Sequence, residues 1–202
     1  MSRPRLLPLL PLSLFFFAAT CTAEPAAAAA GWTPLQLALA PPAQLPGEDW
    51  DVYGLRLDLI AGRCQELGGL DLGLGGNLAS GSVRAVEVAG VWNDVGEDFY
   101  GLQFSGIGNR VAGNVWGLQA AGVVNLAGPG DRLNGLQLGA VNLAGDANGL
   151  QVGLVNDAND MCGVQIGVYN GCQKLAGLQI GLINWIEDNY PFRFFPLLNI
   201  GF

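Results

Sequence analysis

The stretch from Gly135 to Asn184 repeats one short pattern four times. The copies read GLQLGAVN, GLQVGLVN, GVQIGVYN and GLQIGLIN, and each begins 14 residues after the one before it. Repetition at a fixed period predicts a repeat architecture in which every copy adds one structural unit to its neighbour. The conformation of one copy therefore determines most of the fold.

Within one copy, the spacing of the apolar residues predicts a β-strand. In GLQVGLVN, Leu150, Val152 and Leu154 alternate with the residues between them, a period of two that an amphipathic helix does not show. Short polar segments with Gly, Asp and Asn separate the copies and are typical of turns. Each unit is therefore predicted to be a strand followed by a turn.

Weaker copies extend the pattern toward the amino terminus. Their closing asparagines, together with those of the four clear copies, are Asn77, Asn93, Asn109, Asn125, Asn142, Asn156, Asn170 and Asn184. The steps between them are 16, 16, 16, 17, 14, 14 and 14. On a continuous strand, the step of 17 moves asparagine from the glutamine face to the leucine face, because a slip of one residue exchanges faces. Either a β-bulge absorbs the slip or the two blocks pack differently.

Two all-β folds accommodate these strand-turn units. The preferred prediction is an antiparallel up-and-down β-barrel of about ten strands, in which Leu154 lies opposite Val164, leucines face lipid, and Gly and Gln fill the bore. The low charge, the export signal and the carboxyl-terminal pattern described below all favour it. The alternative is a parallel β-solenoid, in which the asparagines stack as a ladder and the leucines fill a thin core.

Aromatic residues add to the barrel prediction. Tyr53, Trp92, Tyr100 and Trp116 are expected on the leucine face near strand ends, where aromatic residues meet a membrane interface. The alternative interpretation is that they are ordinary core aromatics.

The chain divides into three predicted segments. Residues 1–23 are predicted to be a signal peptide, since Arg3 and Arg5 precede an apolar run and small residues mark a cleavage site. Cys21 leaves lipidation as an alternative form of processing. Residues 24–47 form an Ala/Pro-rich leader, part of which could run extended along the fold, and residues 48–202 form the repetitive β domain.

The carboxyl-terminal residues also alternate. Phe194, Leu198, Ile200 and Phe202 fall on one face of a terminal strand, which resembles the final signal of outer-membrane barrels. The last packed strand of a soluble protein has the same pattern, and Pro196 interrupts the strand.

Together, LQLALAPPAQLP, DVYGLRLDL, GLDLGLGGN, the GLQ copies and FPLLNIGF resemble the bacterial surface-repeat proteins first noted in leptospires. The resemblance covers roughly residues 35 to 202. It implies an exported, surface-associated repeat protein with no established activity. Two early copies depart from the pattern, because Asn77 lacks the usual preceding Val and Glu87 replaces the glutamine.

Composition excludes several classes of function. A chain that is 50% hydrophobic and 13% charged is not disordered, and a net charge of -8 argues against nucleic acid as a partner. The absence of histidine excludes Ser-His-Asp catalysis, Cys-His catalysis and every His-containing zinc site. The acidic segment 157–160 lacks the ligand spacing of a calcium loop. The adjacent carboxylates at 97–98 and 187–188 would point to opposite faces of a strand, which does not suit paired acid–base work. All three segments are interpreted as solvated turns.

After removal of the signal, Cys64, Cys162 and Cys172 leave an odd number of thiols for an oxidising compartment. A bridge between Cys162 and Cys172 would exclude a straight strand between them. They are interpreted as small apolar turn residues.

These observations predict a non-enzymatic structural protein of the bacterial outer membrane or cell surface. Its expected partner is outer-membrane lipid or the cell surface, with no nucleic acid, small-molecule substrate, cofactor, metal or catalytic residue. The alternative is a periplasmic or secreted β-solenoid that serves as a binding or adhesion module and presents its glutamine-bearing face to a partner.

Overall fold

The computed structural model describes residues 29–128, 130–189 and 193–201, which contain 17 β-strands. Longer and shorter strands alternate along the chain. The longer strands are β1 (Gly31–Ala40), β3 (Trp50–Asp58), β5 (Leu67–Gly73), β7 (Val83–Ala89), β9 (Phe99–Ser105), β11 (Val115–Ala121), β13 (Arg132–Leu138) and β15 (Asp146–Val152). The shorter ones are β4 (Ala61–Cys64), β6 (Gly76–Ala79), β8 (Trp92–Val95), β10 (Gly108–Val111), β12 (Val124–Ala127) and β14 (Val141–Ala144). The remaining strands are β2 (Ala43–Leu45), β16 (Val155–Ile186) and β17 (Phe194–Gly201).

Most strands pair in parallel with the strand that occupies the same place in the next repeat. The long strand β11 lies beside β9 with Gln119 opposite Gln103, and the short strand β10 lies beside β12. One long strand, one short strand and two turns make one coil, and about eight coils stack as a parallel β-solenoid. In the last coils the turns are themselves extended, so β16 continues unbroken from Val155 to Ile186.

The predicted antiparallel barrel is therefore wrong, and the alternative prediction of a parallel β-solenoid is confirmed. The barrel placed each glutamine over a glycine, whereas the solenoid places glutamine over glutamine and asparagine over asparagine. Stacking identical amides lets each one donate to one neighbour and accept from the other. A ladder of buried amides thus explains why these residues recur.

The leucines point outward, contrary to the prediction that they fill the core of a solenoid. Gln103 has no exposed surface, whereas its neighbour Leu102 is 41% exposed. Each full coil sends inward an apolar residue near the start of its long strand, a glutamine or its replacement, and an apolar residue at the end of its short strand. Each coil from β5 onward also sends inward an asparagine, and Gly62 takes that position in β4. The first of these columns is Val52, Leu67, Val83, Phe99, Val115, Leu133, Ala147, Met161 and Leu175.

The repeat is also not a single strand followed by a turn. In GLQVGLVN the long strand ends at Val152, Gly153 and Leu154 turn the corner, and the short strand starts at Val155. The asparagine step of 17 combines two changes. The turn between Ala127 and Leu133 is two residues longer than the turn between Val111 and Val115, and the corner between Leu138 and Val141 is one residue shorter than the corner between Ala120 and Val124. The shorter turn absorbs the slip, so every asparagine of the ladder faces inward in both blocks.

The glycine that opens each repeat is required by its backbone. Gly117 has a φ of 139°, in the region that L side chains rarely adopt. A Cβ built there would collide with the carbonyl oxygen of Gly101 in the preceding coil. The coils therefore approach each other closely at this column, which runs through the long strands.

The two ends of the solenoid are capped differently. At the amino end, β1 pairs in parallel with β3, and β2 turns back antiparallel to β1. The side-chain amide of Gln44 then pairs with the backbone of Arg63 through Nε2 to O at 2.6 Å and N to Oε1 at 3.1 Å, which covers the open edge of β4. At the carboxyl end, β17 lies antiparallel to the last coil.

The predicted signal peptide 1–23 and Phe202 lie outside the described residues. The described strands begin at Gly31, inside the segment that was predicted to be a leader. Part of that segment therefore runs extended along the fold as β1.

Candidate binding surface

The acidic turn segments form contacts between coils. Asp98 Oδ1 accepts hydrogen bonds from Asn114 N at 2.8 Å and Asn114 Nδ2 at 3.0 Å, and Asp160 forms an ion pair with Lys174 at 3.4 Å. Within the described residues, no group of three or more His, Cys, Asp and Glu side chains could hold a metal ion. These carboxylates therefore join neighbouring turns of the solenoid.

The three cysteines among the described residues are free thiols. Cys64 and Cys172 are buried, and burial raises the pKa of each to about 12. Cys64 Sγ also accepts a hydrogen bond from Arg56 Nη1 at 2.8 Å. Cys162 is exposed on the long-strand face, so it and Cys172 belong to different sides of the coil.

A buried ionic cluster replaces the glutamine ladder near the amino end. Arg56, Asp71 and Glu87 occupy the glutamine column and have no exposed surface. Arg56 binds Asp71 through two hydrogen bonds, one of them from Nε to Oδ1 at 2.9 Å, and Arg56 Nε lies 3.1 Å from Asp58 Oδ2. Of these three residues, the repeat pattern singles out only Glu87, as a replacement of the glutamine.

Burial makes ionisation of the carboxyls in this cluster unfavourable. Desolvation raises the pKa of Asp58 to about 7, against the opposing attraction of Arg56. Desolvation and the nearby charge of Asp71 raise the pKa of Glu87 to about 8. Desolvation also raises the pKa of Asp71, although Arg56 opposes that shift. The cluster is enclosed by the coil and is structural, so it offers no surface to a ligand.

The glutamines do not form a binding face. Gln103, Gln119, Gln137, Gln151, Gln165 and Gln179 have no exposed surface. Each donates from Nε2 to the residue one coil earlier, as Gln151 does to Gln137 Oε1 at 2.8 Å. The prediction that a glutamine-bearing face meets a partner is therefore wrong.

The exposed apolar residues cluster at one corner of the solenoid. The turns from long to short strands carry a row of aliphatic side chains that we call the apolar ridge: Leu59, Ile60, Leu74, Val91, Ile107, Val123, Leu154, Val168 and Leu182. Leu74 is 72% exposed and Leu182 is 61% exposed. The long-strand face continues this surface with Leu57, Leu72, Val88, Phe104, Leu138, Val152, Ile166 and Ile180.

The opposite corner is polar. The turns from short to long strands, which we call the charged corner, carry Glu66, Glu97, Asp98, Asp131, Asp146, Asp160, Lys174, Glu187 and Asp188. Each coil is therefore amphipathic in cross-section. Stacking the coils in register extends this asymmetry along the whole solenoid.

The apolar surface is large for a protein of this size. It spans about seven residues around the corner and eight strand spacings along the axis, roughly 23 Å by 40 Å, or on the order of 900 Å². The largest apolar patch of a typical soluble monomer is about 300–600 Å². A surface of this extent indicates an interaction site.

Aromatic residues lie between the apolar surface and the charged corner. Tyr53, Tyr100 and Trp116 share one outward column of the long-strand face, as predicted, whereas Trp92 lies on the short-strand face. The rings of Tyr100 and Trp116 stack with centroids 4.5 Å apart, and the Arg84 guanidinium lies 5.4 Å from the Tyr100 centroid. Tyr53 donates its hydroxyl hydrogen to Glu66 at 3.0 Å.

Comparison with protein families, with curated proteins and with solved structures gave no match to this chain. Among the described residues, no helix is long and apolar enough to cross a membrane.

Proposed function

We propose that this chain is an exported, non-enzymatic β-solenoid binding module of the bacterial surface, and that its apolar ridge attaches it to membrane lipid. The observation that carries the proposal is the separation of the two corners. Exposed aliphatic side chains occupy one corner of nearly every coil, and charged side chains recur at the other. An elongated body with this asymmetry suits an interface between hydrocarbon and water.

The convex shape of the apolar surface favours lipid over a flat protein partner. Apart from Leu45 and Leu197 in the two caps, the most exposed aliphatic residues among those described, such as Leu74 and Leu182, project from the apex of the corner and not from the flat face. A flat partner, including the long-strand face of a second copy, would leave this apex in water. Lipid hydrocarbon can close around a convex edge without needing a complementary cleft.

The aromatic column supports the same orientation. With the apolar ridge lowest, Tyr100 and Trp116 lie above the leucines, and Arg84 lies beside them. Tyrosine and tryptophan favour the level of lipid headgroups, and arginine can pair with phosphate there. The acidic turns then face water, away from the membrane, where a net charge of -8 is well solvated.

Flotation with lipid vesicles tests this proposal. The chain from residue 24, refolded in buffer, is mixed with phosphatidylcholine and phosphatidylethanolamine vesicles and centrifuged through a density gradient. We expect the wild-type protein to float with the vesicles. The variant with Val91→Lys and Val123→Lys should bind at least about tenfold more weakly, because burying one such aliphatic side chain contributes about 1.5 kcal/mol or more.

The matched control places the same charges at the opposite corner, with Ala112→Lys and Gln173→Lys. It should float like the wild type, and circular dichroism should show that all three proteins are folded. Equal loss of binding in both double variants, or no flotation of the wild type, would contradict the proposal. Dimerisation of the wild type in buffer, abolished by the ridge substitutions, would assign the surface to a second copy instead.

A further inference from the structure

A groove runs along the long-strand face beside the apolar ridge. Three cavities form it, with volumes of about 980, 460 and 580 Å³ from the amino to the carboxyl end. The first and second cavities share Val88, and the second and third share Gly139, so the lining is continuous. With coils spaced as strands in a sheet, the groove is roughly 40 Å long.

The two walls of the groove are aliphatic and its floor is made of small residues. One wall is the outward column of the long strands, from Leu57 to Ile180. The other wall is present in the first and third cavities, where it includes ridge residues such as Leu74 and Leu154, and the middle cavity is lined by the long-strand column and the floor. The floor between them follows the strand ends at Gly73, Ala89, Ser105, Ala121, Gly139, Gly153, Gly167 and Gly181. The small floor residues leave the space between the walls open.

The backbone of the floor is occupied by contacts between coils. The carbonyl oxygens of Gly73, Ala89 and Ser105 accept hydrogen bonds from the next coil at 2.9, 3.2 and 3.3 Å. An extended peptide in this groove would bury its own N–H and C=O groups opposite groups that are already paired, which is unfavourable. A hydrocarbon chain has no such groups to satisfy.

Polar side chains contribute little to the lining. The Gln44 amide is paired with the backbone of Arg63, and the Asp58 carboxylate lies 3.1 Å from the Arg56 guanidinium, within the coil. The buried Ser105 hydroxyl has no hydrogen-bond partner among the described residues. Apart from Ser105 and Asp58, the groove therefore offers neither a charge nor a free donor. Its chemistry matches an apolar, unbranched ligand.

Both ends of the groove are bounded. The β1–β2 hairpin contributes Pro42, Ala43 and Leu45 at the amino end. At the other end the capping strand β17 contributes Leu197, which has a φ of 72° and is 67% exposed. The caps thus convert the corner of an open-ended repeat into a groove of finite length.

We propose that this groove binds the extended acyl chains of membrane lipids, one or more chains lying parallel to the solenoid axis. The inference rests on the proposed attachment to membranes for the source of the lipid. The two proposals differ in what they require. Membrane attachment needs only contact between the ridge and the bilayer, whereas the groove must be a separate site that binds a limited number of individual acyl chains. An acyl chain in the groove would also cover the exposed sides of the aliphatic residues that line it.

The test uses cis-parinaric acid, a fluorescent fatty acid, added below its aggregation concentration to the refolded chain in vesicle-free buffer. Direct excitation of the probe should give a saturable increase in fluorescence. The variant with Ala120→Phe and Ala140→Phe narrows the groove from both walls, since both alanines line it and are half-buried. We expect at least a fivefold loss of affinity for the probe, whereas the control Gln173→Phe should bind like the wild type.

Comparison with flotation separates this inference from the proposed function. The groove variant should still float with vesicles, and the Val91→Lys, Val123→Lys variant should still bind parinaric acid, because neither valine lines the groove. Flotation of the wild type without saturable probe binding would overturn the acyl-chain site and leave the membrane attachment standing. Equal probe binding by the groove variant and the wild type would also overturn the site.

Discussion

Gln103 donates a hydrogen bond from Nε2 to Glu87 Oε2 at 2.7 Å, and this contact sets the direction of the glutamine ladder. Because Gln103 presents its nitrogen to Glu87, its Oε1 is left to accept from Gln119 Nε2 at 3.0 Å, and each later glutamine repeats the arrangement. At the far end, Gln179 Oε1 accepts from Asn199 of the capping strand at 3.5 Å.

The asparagine ladder runs the opposite way. Asn109 Nδ2 donates to Asn125 Oδ1, one coil later, at 2.9 Å and to the Ala120 carbonyl at 3.1 Å. The second hydrogen bond fixes the amide orientation, because only the nitrogen can donate to a carbonyl. The dipoles of the two ladders therefore point in opposite directions along the axis. They partly cancel, so neither end of the core carries the full dipole of two aligned ladders.

Breaking the glutamine ladder should destabilise the solenoid strongly. Gln119→Leu keeps a side chain of similar size but leaves Gln103 Oε1 and Gln137 Nε2 without their partner in the ladder. Each unsatisfied buried group costs about 1–3 kcal/mol, so we expect the free energy of unfolding to fall by about 2–4 kcal/mol. Urea denaturation followed by circular dichroism measures the change. Gln173→Leu, outside the ladder, is the control, and an equal effect of both substitutions would contradict a stabilising ladder.

The ionic cluster should make stability depend on pH. Burial raises the pKa of Asp58 from 3.8 to about 7 and that of Glu87 from 4.5 to about 8, so the folded state holds these protons more tightly than the unfolded state. The contribution of these two protonated groups to the free energy of unfolding is complete below about pH 4 and is lost as the pH rises through about 7 and 8. We expect the free energy of unfolding to be lower at pH 8.5 than at pH 5.5 by at least about 1 kcal/mol.

Glu87→Gln should weaken this pH dependence, because the amide is neutral throughout and can extend the ladder by donating to Asp71. Urea titrations at the two pH values compare the variant with the wild type. Glu97→Gln, at an exposed turn, is the matched control and should leave the profile unchanged. A Glu87→Gln profile as steep as that of the wild type would show that Glu87 does not carry the effect.

In the column of glycines that open the repeats, replacing glycine by alanine should destabilise the fold, whereas replacing alanine by glycine should have little effect. Gly117→Ala forces a Cβ into a backbone with a φ of 139° and against the Gly101 carbonyl, and it should cost about 1–3 kcal/mol. Ala85 occupies the same column without a positive φ, so Ala85→Gly should cost at most about 1 kcal/mol. Thermal unfolding of both variants measures the difference, and similar costs would rule out close approach of the coils as the reason for glycine.

Periodicity alone predicts the strands and the repeating unit but leaves the direction of pairing open. Leu150 and Gln151 alternate in the same way in a barrel and in a solenoid, and hydrophobicity assigns the leucine to the core of a soluble fold. The structure buries Gln151 because an amide ladder satisfies its hydrogen bonds, a cooperative effect between coils that one repeat does not reveal.

The alternation of apolar residues also does not reveal the turn between the long and the short strand. In GLQVGLVN, the apolar alternation continues across Gly153 and Leu154, so the corner resembles more strand. The step of 17 between Asn125 and Asn142 was the signal of a turn whose length changes. The apolar ridge lies at that corner, so its position depends on Leu154 being in a turn and not in a strand.

Lipid contact by the apolar ridge is tested most directly by spin labels at the two corners. In a Cys162→Ser background, where Cys64 and Cys172 are buried, Val123→Cys and Ala112→Cys place a label on the ridge and on the opposite turn. With the protein bound to phosphatidylcholine vesicles, we expect the label at position 123 to be accessible to oxygen and protected from a water-soluble nickel complex, and the label at 112 to show the reverse. Equal exposure of both labels to the nickel complex would contradict the account.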